Sequence, residues 1–385
     1  MTSAMDESIE GASVRVDIPN PKLRTHLHEY GRRRRTDGPY ADNLEVDALV
    51  VGGGFAGVFM FWSLRKEGLK TVMYEAGTDL AGAMVDSEVP EYQLSIPEVI
   101  KAHNWPNNYP NYHDLRDYFD TCDRVLDIKS QTAFESVVTG AQFKTDEGRW
   151  HVETADGRTA KTKYLIICAG FAAKRYVPDW PGIDKFKGIV HHSSFWPDEE
   201  IPVEGKKCGI IGTGATGVQL TQAWGPKAGH LKVFQRTPNL TVPMRQRDLT
   251  VEEQEIAKKW YPELLRLREH CFGGFLYGFS EKNTFDDSPE EREAFYEKLW
   301  QDGGFRYWLG NYKDYLFDPK ANQSAYDFWA KKQRARINDP KKKDILAPLN
   351  MPHYWGIKRP CLEYAYLEQF NRDNVDIVDI KNNPL

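Results

Sequence analysis

The stretch "VDALVVGGGFAG", residues 46–57, decides the fold of this chain. An apolar strand candidate, Val46–Val51, leads into three glycines with G-x-G-x-x-G spacing, and the amphipathic stretch "FMFWSLRKEG" follows as a helix. A second strand candidate, "KTVMYE", ends in an acid 23 residues after the first glycine. A strand, a tight glycine turn, a helix N-terminus for pyrophosphate and an acid for ribose hydroxyls together make a dinucleotide-binding unit. The alternative is a glycine turn that only packs. The predicted nucleotide contacts are Gly52, Gly54, Gly57 and Glu75.

The stretch "KKCGIIGTGATGVQLTQAW", residues 206–224, repeats the strand, glycine turn and helix. Its second strand, "HLKVFQRTPN", reaches an arginine instead of an acid, 24 residues after the first glycine of this turn. An acid suits a free ribose 2′-hydroxyl, whereas a guanidinium suits a 2′-phosphate. The first unit is therefore predicted to bind FAD and the second NADPH. The predicted contacts of the second unit are Gly212, Gly214, Gly217 and Arg236.

Composition excludes several classes of protein. A net charge of -5 over 385 residues gives no electrostatic case for nucleic acid. Five scattered cysteines without a CxxC pair argue against a disulfide scaffold and against a zinc site, so no metal is predicted. No apolar stretch has the length of a membrane span, and the N-terminus lacks the features of a secretory signal. These features predict a reduced cytoplasmic protein without a membrane partner.

The order of the elements predicts an α/β fold with two Rossmann-like dinucleotide-binding domains, a β-meander and a helical insertion. The last strand of the meander is expected to be parallel and buried, and the aromatic side chains of the insertion are expected to form a core. The predicted parts are a polar arm at 1–44, the first part of the FAD-binding domain at 45–185, the NADPH-binding domain at 186–355 with its insertion at 250–345, and an incomplete return to the FAD-binding domain at 356–385.

The segment "FKGIVHHSSFW", residues 186–196, lies between the two units. Its fixed positions are Phe186, Gly188, His192 and Trp196. Together with "GTGATG", "VFQRTPN" and "GIKRP" in this order, they resemble the type I Baeyer–Villiger monooxygenases. Related N-oxidising flavin monooxygenases share the phenylalanine, glycine and histidine but usually not the tryptophan, so Trp196 favours ketone oxygenation. An ordinary linker whose aromatic residues pack is the alternative.

The resemblance implies an FAD- and NADPH-dependent enzyme that converts a ketone and dioxygen to an ester or lactone through a flavin peroxide. A bulky polycyclic or terpenoid ketone is the expected substrate. By the same resemblance, Arg359 stabilises the anionic oxygen species, Lys358 contacts the NADPH phosphate and Thr237 lies at the nicotinamide nucleotide. Asp86 would orient the arginine, and His192 would be coupled to cofactor positioning, unless it is a structural histidine.

Two departures from the family put catalysis in doubt. The stretch that lines the flavin in family members is short here, between Leu80 and Gly82. Leu385 also falls where family members continue with the rest of the FAD-binding domain. The sequence therefore leaves open a flavoprotein that leaks hydrogen peroxide, a heteroatom-oxidising monooxygenase, and a non-catalytic remnant or misassembled gene product. The oligomeric state is not predicted.

Overall fold

The computed structural model describes residues 37–80, 88–89, 92–171, 176–194, 196 and 201–381. Most of the polar arm predicted at 1–44 lies outside these residues. The chain divides into two compact units. The first unit comprises Met1–Met84, Leu94–Asn104 and Tyr112–Asp198, and the second comprises Val85–Gln93, Trp105–Asn111 and Glu199–Leu385.

The first unit is built on a mixed sheet. Its strands are β1 (Leu44–Val51), β2 (Thr71–Tyr74), β3 (Thr132–Ala133), β4 (Val138–Lys144), β5 (Arg149–Thr154) and β6 (Thr159–Ile167), in the order β3-β2-β1-β6-β5-β4. Its helices are α1 (Phe55–Lys66), α2 (Pro97–Ala102) and α3 (Tyr112–Leu126). Strand β1 runs parallel to β2 and β6, whereas β5 is antiparallel to β4 and β6. The predicted strand–turn–helix unit and the meander that returns parallel to β1 are confirmed.

The centre of β1 is fully buried, at Ala48, Leu49 and Val50. A strand that is covered on both faces has a continuous run of apolar residues, which is why apolar and polar residues do not alternate in this segment. The prediction that the end of the meander is buried is wrong at Ile167, which is 61% exposed. Ile167 is the last residue of β6, at the carboxyl edge of the sheet, and its side chain is exposed to solvent there.

The second unit contains two small parallel sheets and eight helices among the residues described. The larger sheet has the order β11-β8-β7, and β9 pairs with β10 in the smaller one. The strands are β7 (Lys207–Ile211), β8 (His230–Gln235), β9 (Val242–Pro243), β10 (Leu362–Glu363) and β11 (Val375–Asp379). The helices are α4 (Ala215–Trp224), α5 (Val251–Lys258), α6 (Tyr261–Arg268), α7 (Pro289–Asp302), α8 (Arg306–Leu309), α9 (Pro319–Arg334), α10 (Pro340–Leu346) and α11 (Tyr366–Gln369).

The helices of the insertion have defined starts. Ser288 forms a capping box with Glu291 at the start of α7, and Asp318 and Asp339 cap α9 and α10. Each of these three helices also has proline in its first turn, where the missing N–H has no intrahelical partner to lose. The expectation that the aromatic residues of the insertion form a core is confirmed. The buried aromatic side chains include Tyr296, Trp300, Phe305, Tyr307, Tyr312, Tyr315, Tyr326, Phe328, Trp329 and Trp355.

The prediction that 356–385 returns to the FAD-binding domain is wrong for the strands of this segment. Strand β11 pairs in parallel with β8, and β10 pairs with β9, so both extend the second unit. Pairing on β8 places Val375 in the same core as Leu231 and Val233, which is the physical gain of this arrangement. The segment 186–196, which was expected to open the NADPH-binding domain, falls in the first unit. In the described part of the chain, no helix combines the length and apolar character needed to cross a membrane.

Candidate active site

The first glycine turn connects β1 to α1 and admits only glycine at two positions. Gly52 has a φ of 109°, and a Cβ there would lie 2.4 Å from the Cys168 carbonyl oxygen. A Cβ on Gly57 would lie 1.8 Å from the carbonyl oxygen of Gly52. The N-cap of α1 is Gly54, which has no side chain to occupy the amides of the first helical turn. These amides can therefore donate to an anionic group.

Glu75 follows β2 directly and lies against the same turn. Its carboxylate accepts hydrogen bonds from the backbone N–H of Gly53 and from that of Gly77, the latter at 2.6 Å. The spacing in the sequence therefore does bring the acid next to the glycines. An acceptor at this point suits ribose hydroxyls beside a pyrophosphate.

The second glycine turn has the same construction between β7 and α4. Gly212 has a φ of 105°, and a Cβ on Gly217 would lie 2.2 Å from the carbonyl oxygen of Gly212. A Cβ on Gly214, the N-cap of α4, would meet no described atom within 4 Å, so a ligand can approach over this residue. The Thr213 hydroxyl donates to the Thr237 carbonyl oxygen at 2.9 Å, which fixes the turn to the end of β8.

Arg236 is the residue that follows β8, and its side chain is exposed. The structure thus brings the predicted arginine and Thr237 to the carboxyl end of the strand next to the second glycine turn. A positive charge at this place is available to a phosphate on the ribose. The opposite charges after β2 and β8, from Glu75 and Arg236, distinguish the two turns chemically.

The segment "WGIKRPC", residues 355–361, is called the arginine loop below, and its start is tied to the helical insertion. The backbone N–H of Trp355 donates to Asn322 Oδ1 at 2.8 Å, and Asn322 Nδ2 donates back to the Trp355 carbonyl oxygen at 2.9 Å. The indole N–H of Trp308 donates to the Gly356 carbonyl oxygen at 2.9 Å. Gly356 has a φ of 83°, and a Cβ there would lie 2.6 Å from the Tyr315 hydroxyl oxygen. The backbone before the two cations is therefore firmly placed.

The guanidinium of Arg359 lies over two aromatic rings. Its central carbon is 4.9 Å from the ring centroid of Phe305 and 5.8 Å from that of Phe275. Lys358 and Arg359 are both exposed. Ring faces attract the cation and orient it without neutralising it, so Arg359 keeps an available positive charge.

Asn239 joins the second glycine turn to the arginine loop. Its Nδ2 donates to the Thr213 carbonyl oxygen and to Cys361 Sγ, both at 2.9 Å. The Val242 N–H also donates to the Cys361 carbonyl oxygen at 2.9 Å, alongside the β9–β10 pair. Sequence reasoning missed Asn239 as a site residue, although it ends the motif "RTPN". Its position in that motif was the available signal.

The segment at 186–196 is held by local contacts. The aromatic ring of Phe186 folds over Gly188, where a Cβ would lie 2.6 Å from it, so a larger residue here would make the ring move. His192 Nδ1 accepts from the Ser194 N–H at 3.2 Å, and Nε2 donates to the Tyr176 carbonyl oxygen, also at 3.2 Å. This pattern fits a neutral imidazole protonated on Nε2. The predicted coupling of His192 to cofactor positioning stays a prediction.

The remaining predicted residues differ in how far the structure places them. Phe186 and Trp196 are 55% and 42% exposed. Asp86 lies outside the described residues, so its predicted orienting role stays a prediction. Phe275 and Phe305 were expected only to pack in the core, and sequence reasoning missed their contact with Arg359.

Two glycine turns, one followed by an acid and the other by an arginine, define a two-dinucleotide oxidoreductase fold. The family of pyridine nucleotide-disulphide oxidoreductases matches residues 46–259, and the chain belongs to this family. The predicted resemblance to Baeyer–Villiger monooxygenases is confirmed, since proteins of that name are among its relatives.

Three similar proteins illustrate the relationship. The FAD-binding monooxygenase acrE of Aspergillus aculeatus is 55% identical over 372 residues, which are 94% of this chain and 63% of the relative. Cyclopentanone 1,2-monooxygenase of a Comamonas species is 40% identical over 352 residues, 89% of this chain and 64% of the relative. A crystal structure of OTEMO in complex with FAD and NADP has a TM-score of 0.83 and 31% identity, over 88% of this chain and 66% of that one. The chain thus spans just under two thirds of the length of these proteins.

Proposed function

We propose that this chain belongs to an FAD- and NADPH-dependent Baeyer–Villiger-type monooxygenase that converts a ketone and dioxygen to an ester or lactone. The observation that carries the proposal is the link through Asn239, because it brings the arginine loop to the second glycine turn. An arginine fixed at a nucleotide turn, in a chain with a further turn followed by Glu75, matches the needs of this chemistry. Relatives named as an FAD-binding monooxygenase, a cyclopentanone monooxygenase and a Baeyer–Villiger monooxygenase support the proposal.

The first turn fits FAD. The close approach of Gly57 to Gly52 keeps the turn tight, and the uncapped amides after Gly54 can bind the pyrophosphate. Glu75 would accept from the ribose hydroxyls, since its two carboxylate oxygens have acceptor capacity beyond the N–H groups of Gly53 and Gly77. When bound, FAD accepts the hydride and activates dioxygen.

The second turn fits NADPH. The open space over Gly214 admits the pyrophosphate, and the exposed Arg236 would contact the 2′-phosphate. We propose Lys358 as a second cation for that phosphate, because the link through Asn239 and Cys361 joins its loop to the same turn. Thr237 would lie at the nicotinamide nucleotide, where its carbonyl oxygen already holds Thr213.

Arg359 would supply the fixed positive charge that the oxygenation step needs. A guanidinium is a cation with a fork of five N–H donors, and the rings of Phe275 and Phe305 hold this one, with no ion pair to a carboxylate among the described residues. Such a cation stabilises negative charge that develops on oxygen atoms beside it. We propose that Asp86 orients this group and that His192 is coupled to cofactor positioning.

The substrate is proposed to be a cyclic ketone, since one relative is named for cyclopentanone. A bulky polycyclic or terpenoid ketone is the finer proposal. We also propose the cytoplasm as the location, on the basis of the cysteine composition.

A second candidate function is a flavoprotein that reduces oxygen to hydrogen peroxide without oxygenating a ketone. Tyr164, Ile167 and Phe171 are 45%, 61% and 98% exposed at the carboxyl end of β6. This end of the strand continues to Cys168, whose carbonyl oxygen lies next to Gly52 in the first glycine turn. Water with access to a flavin site favours peroxide release over oxygenation.

The test measures three quantities on the same purified chain after addition of FAD. These are flavin absorbance after removal of free FAD, oxygen uptake with NADPH with and without cyclopentanone, and the lactone product by mass spectrometry.

Lactone formed in proportion to NADPH oxidised supports the first function. Oxygen uptake that is indifferent to ketone and yields hydrogen peroxide supports the second. Product from an organic sulfide or amine, but not from ketones, would indicate the heteroatom-oxidising alternative. A chain that binds neither nucleotide would refute both proposed functions.

A further inference from the structure

The carboxylate of Glu88 lies in the second unit, in contact with residues next to the two rings that hold Arg359. Its side chain is 12% exposed. The Tyr277 hydroxyl donates to Glu88 Oε2, and Arg306 Nη1 lies 3.6 Å from Glu88 Oε1. The Arg306 guanidinium also lies 5.2 Å from the centroid of the Tyr277 ring. Glu88, Tyr277 and Arg306 are called the Glu88 cluster below.

Two short segments of the chain connect the Glu88 cluster to Arg359, and each carries one ring and one member of the cluster. Phe305 lies under Arg359, and the next residue, Arg306, pairs with Glu88. Phe275 lies under Arg359, and Tyr277, two residues later, donates to Glu88. The Phe275 and Tyr277 rings are stacked with centroids 6.3 Å apart, and those of Phe275 and Phe305 are 5.4 Å apart. The carboxylate thus fixes both segments from which the two rings project.

The charge balance explains why the cluster is rigid. A carboxylate at this degree of burial needs partners, because an unpaired buried charge is strongly destabilising. Burial, reinforced by the nearby carboxylate, raises the pKa of Tyr277 far above its usual value, so the phenol remains a donor at working pH. Gly304, with a φ of 60°, lets the backbone approach the cluster closely, since a Cβ there would lie 2.4 Å from the Tyr109 hydroxyl oxygen and 3.2 Å from Glu88 Oε2.

We infer that Glu88 is a positioning residue, which holds Tyr277 and Arg306 in place so that the rings of Phe275 and Phe305 orient the guanidinium of Arg359. This inference rests on the proposed function for its catalytic consequence, but the positioning itself is a property of the chain without cofactors. Glu88 also stands two residues after Asp86, the proposed orienting acid, in the sequence.

The test compares Glu88→Gln and Tyr277→Phe with a control of the same chemistry elsewhere in the second unit. The Tyr312 hydroxyl donates to Asp287 at 2.6 Å, and Lys282 lies 2.5 Å from the same carboxylate. Asp287→Asn therefore breaks a similar phenol–carboxylate–cation cluster whose members are not the residues in contact with Arg359. Phe305→Leu removes one of the two rings directly and shows how far the measurement can respond.

The measurement is the rate at which phenylglyoxal modifies Arg359 in the cofactor-free chain, read by mass spectrometry of the peptide. We expect Glu88→Gln, Tyr277→Phe and Phe305→Leu to raise this rate about threefold or more, because loss of a hydrogen bond to a charged group loosens the rings. Asp287→Asn should leave the modification of Arg359 at the wild-type rate.

A wild-type rate in both Glu88→Gln and Tyr277→Phe would overturn the inference, as would an unchanged rate in Phe305→Leu. If Glu88→Gln does not fold by circular dichroism, the milder Tyr277→Phe decides.

A second measurement separates this inference from the proposed function. With FAD bound, Glu88→Gln should lower the lactone formed per NADPH and leave the KM for NADPH unchanged. If the labelling rates change as expected and no form of the chain produces lactone, the positioning stands and the proposed function fails. If lactone yield falls without any change in labelling, Glu88 acts by another route and the inference is overturned.

Discussion

Asn239→Ala is the change that most directly tests the link between the second glycine turn and the arginine loop. The side chain donates two hydrogen bonds, to the Thr213 carbonyl oxygen and to Cys361 Sγ, and it is partly buried. A hydrogen bond of this kind contributes about 1 kcal/mol net, and one to sulfur less, so the free energy of unfolding should fall by about 1–2 kcal/mol. The turn keeps its second anchor, the bond from the Thr213 hydroxyl to Thr237. We therefore expect NADP+ affinity to weaken about threefold to tenfold, which is about 0.7–1.4 kcal/mol.

The chain offers a matched control at the other end of the same strands. Asn374 Nδ2 also donates to two acceptors, the carbonyl oxygens of Gly225 and Ala228, at 3.0 Å and 2.7 Å. Asn374→Ala should lower the free energy of unfolding by a similar amount, measured by urea titration, and leave NADP+ affinity as it is. Isothermal titration of NADP+ into the cofactor-free chain gives the affinities. If Asn239→Ala and Asn374→Ala lose equal stability and both keep wild-type affinity, the link through Asn239 is only structural.

Two further substitutions and the flavin content of the purified chain test the remaining assignments. Arg236→Ala should weaken NADPH binding about fivefold to thirtyfold and leave NADH binding unaffected, because an exposed charge-assisted contact is worth about 1–2 kcal/mol. Lys232→Ala, on β8, is the control. Equal use of both nucleotides by the wild type would contradict the assignment. Arg359→Ala should spare flavin reduction by NADPH and lower ester formation by about a hundredfold or more. A normal yield would remove Arg359 from the mechanism. The chain should purify with little flavin, seen as low flavin absorbance, because the stretch that lines the flavin in family members is short here, between Leu80 and Gly82. Stoichiometric FAD would contradict this.

The parts of the fold that follow from local sequence were predictable. The glycine at φ 109° and the close approach of Gly57 are set by residues within one turn, so the spacing alone identifies them. The acid after β2 and the arginine after β8 follow from the lengths of two adjacent elements. The destination of "NVDIVDI" at 374–380 was not predictable in this way. Alternation predicts a strand there, but the choice of β8 as its neighbour depends on pairing across more than a hundred residues.

The candidate site was predictable where one residue type carries the chemistry. Arg359 and Arg236 were identified because a guanidinium suits phosphate or developing negative charge. Asn239 and Glu88 were missed because an asparagine and a glutamate have many roles, and their partners lie far away in the sequence. Phe305 was correctly expected in the core, yet burial does not reveal that its ring also faces a cation.

The helical insertion explains how an exposed arginine acquires a fixed position. Asn322 is fully buried, and its amide bonds to the carbonyl oxygens of Tyr315 and Trp355 and to the Trp355 N–H. A buried amide with these bonds made favours one arrangement of its neighbours, because every alternative leaves polar atoms unpaired. The arginine loop starts from that arrangement and reaches Arg359 four residues later. The position of the guanidinium therefore depends on Asn322 within the insertion, and Asn322→Ala should lower the proposed ester formation before it lowers NADP+ affinity.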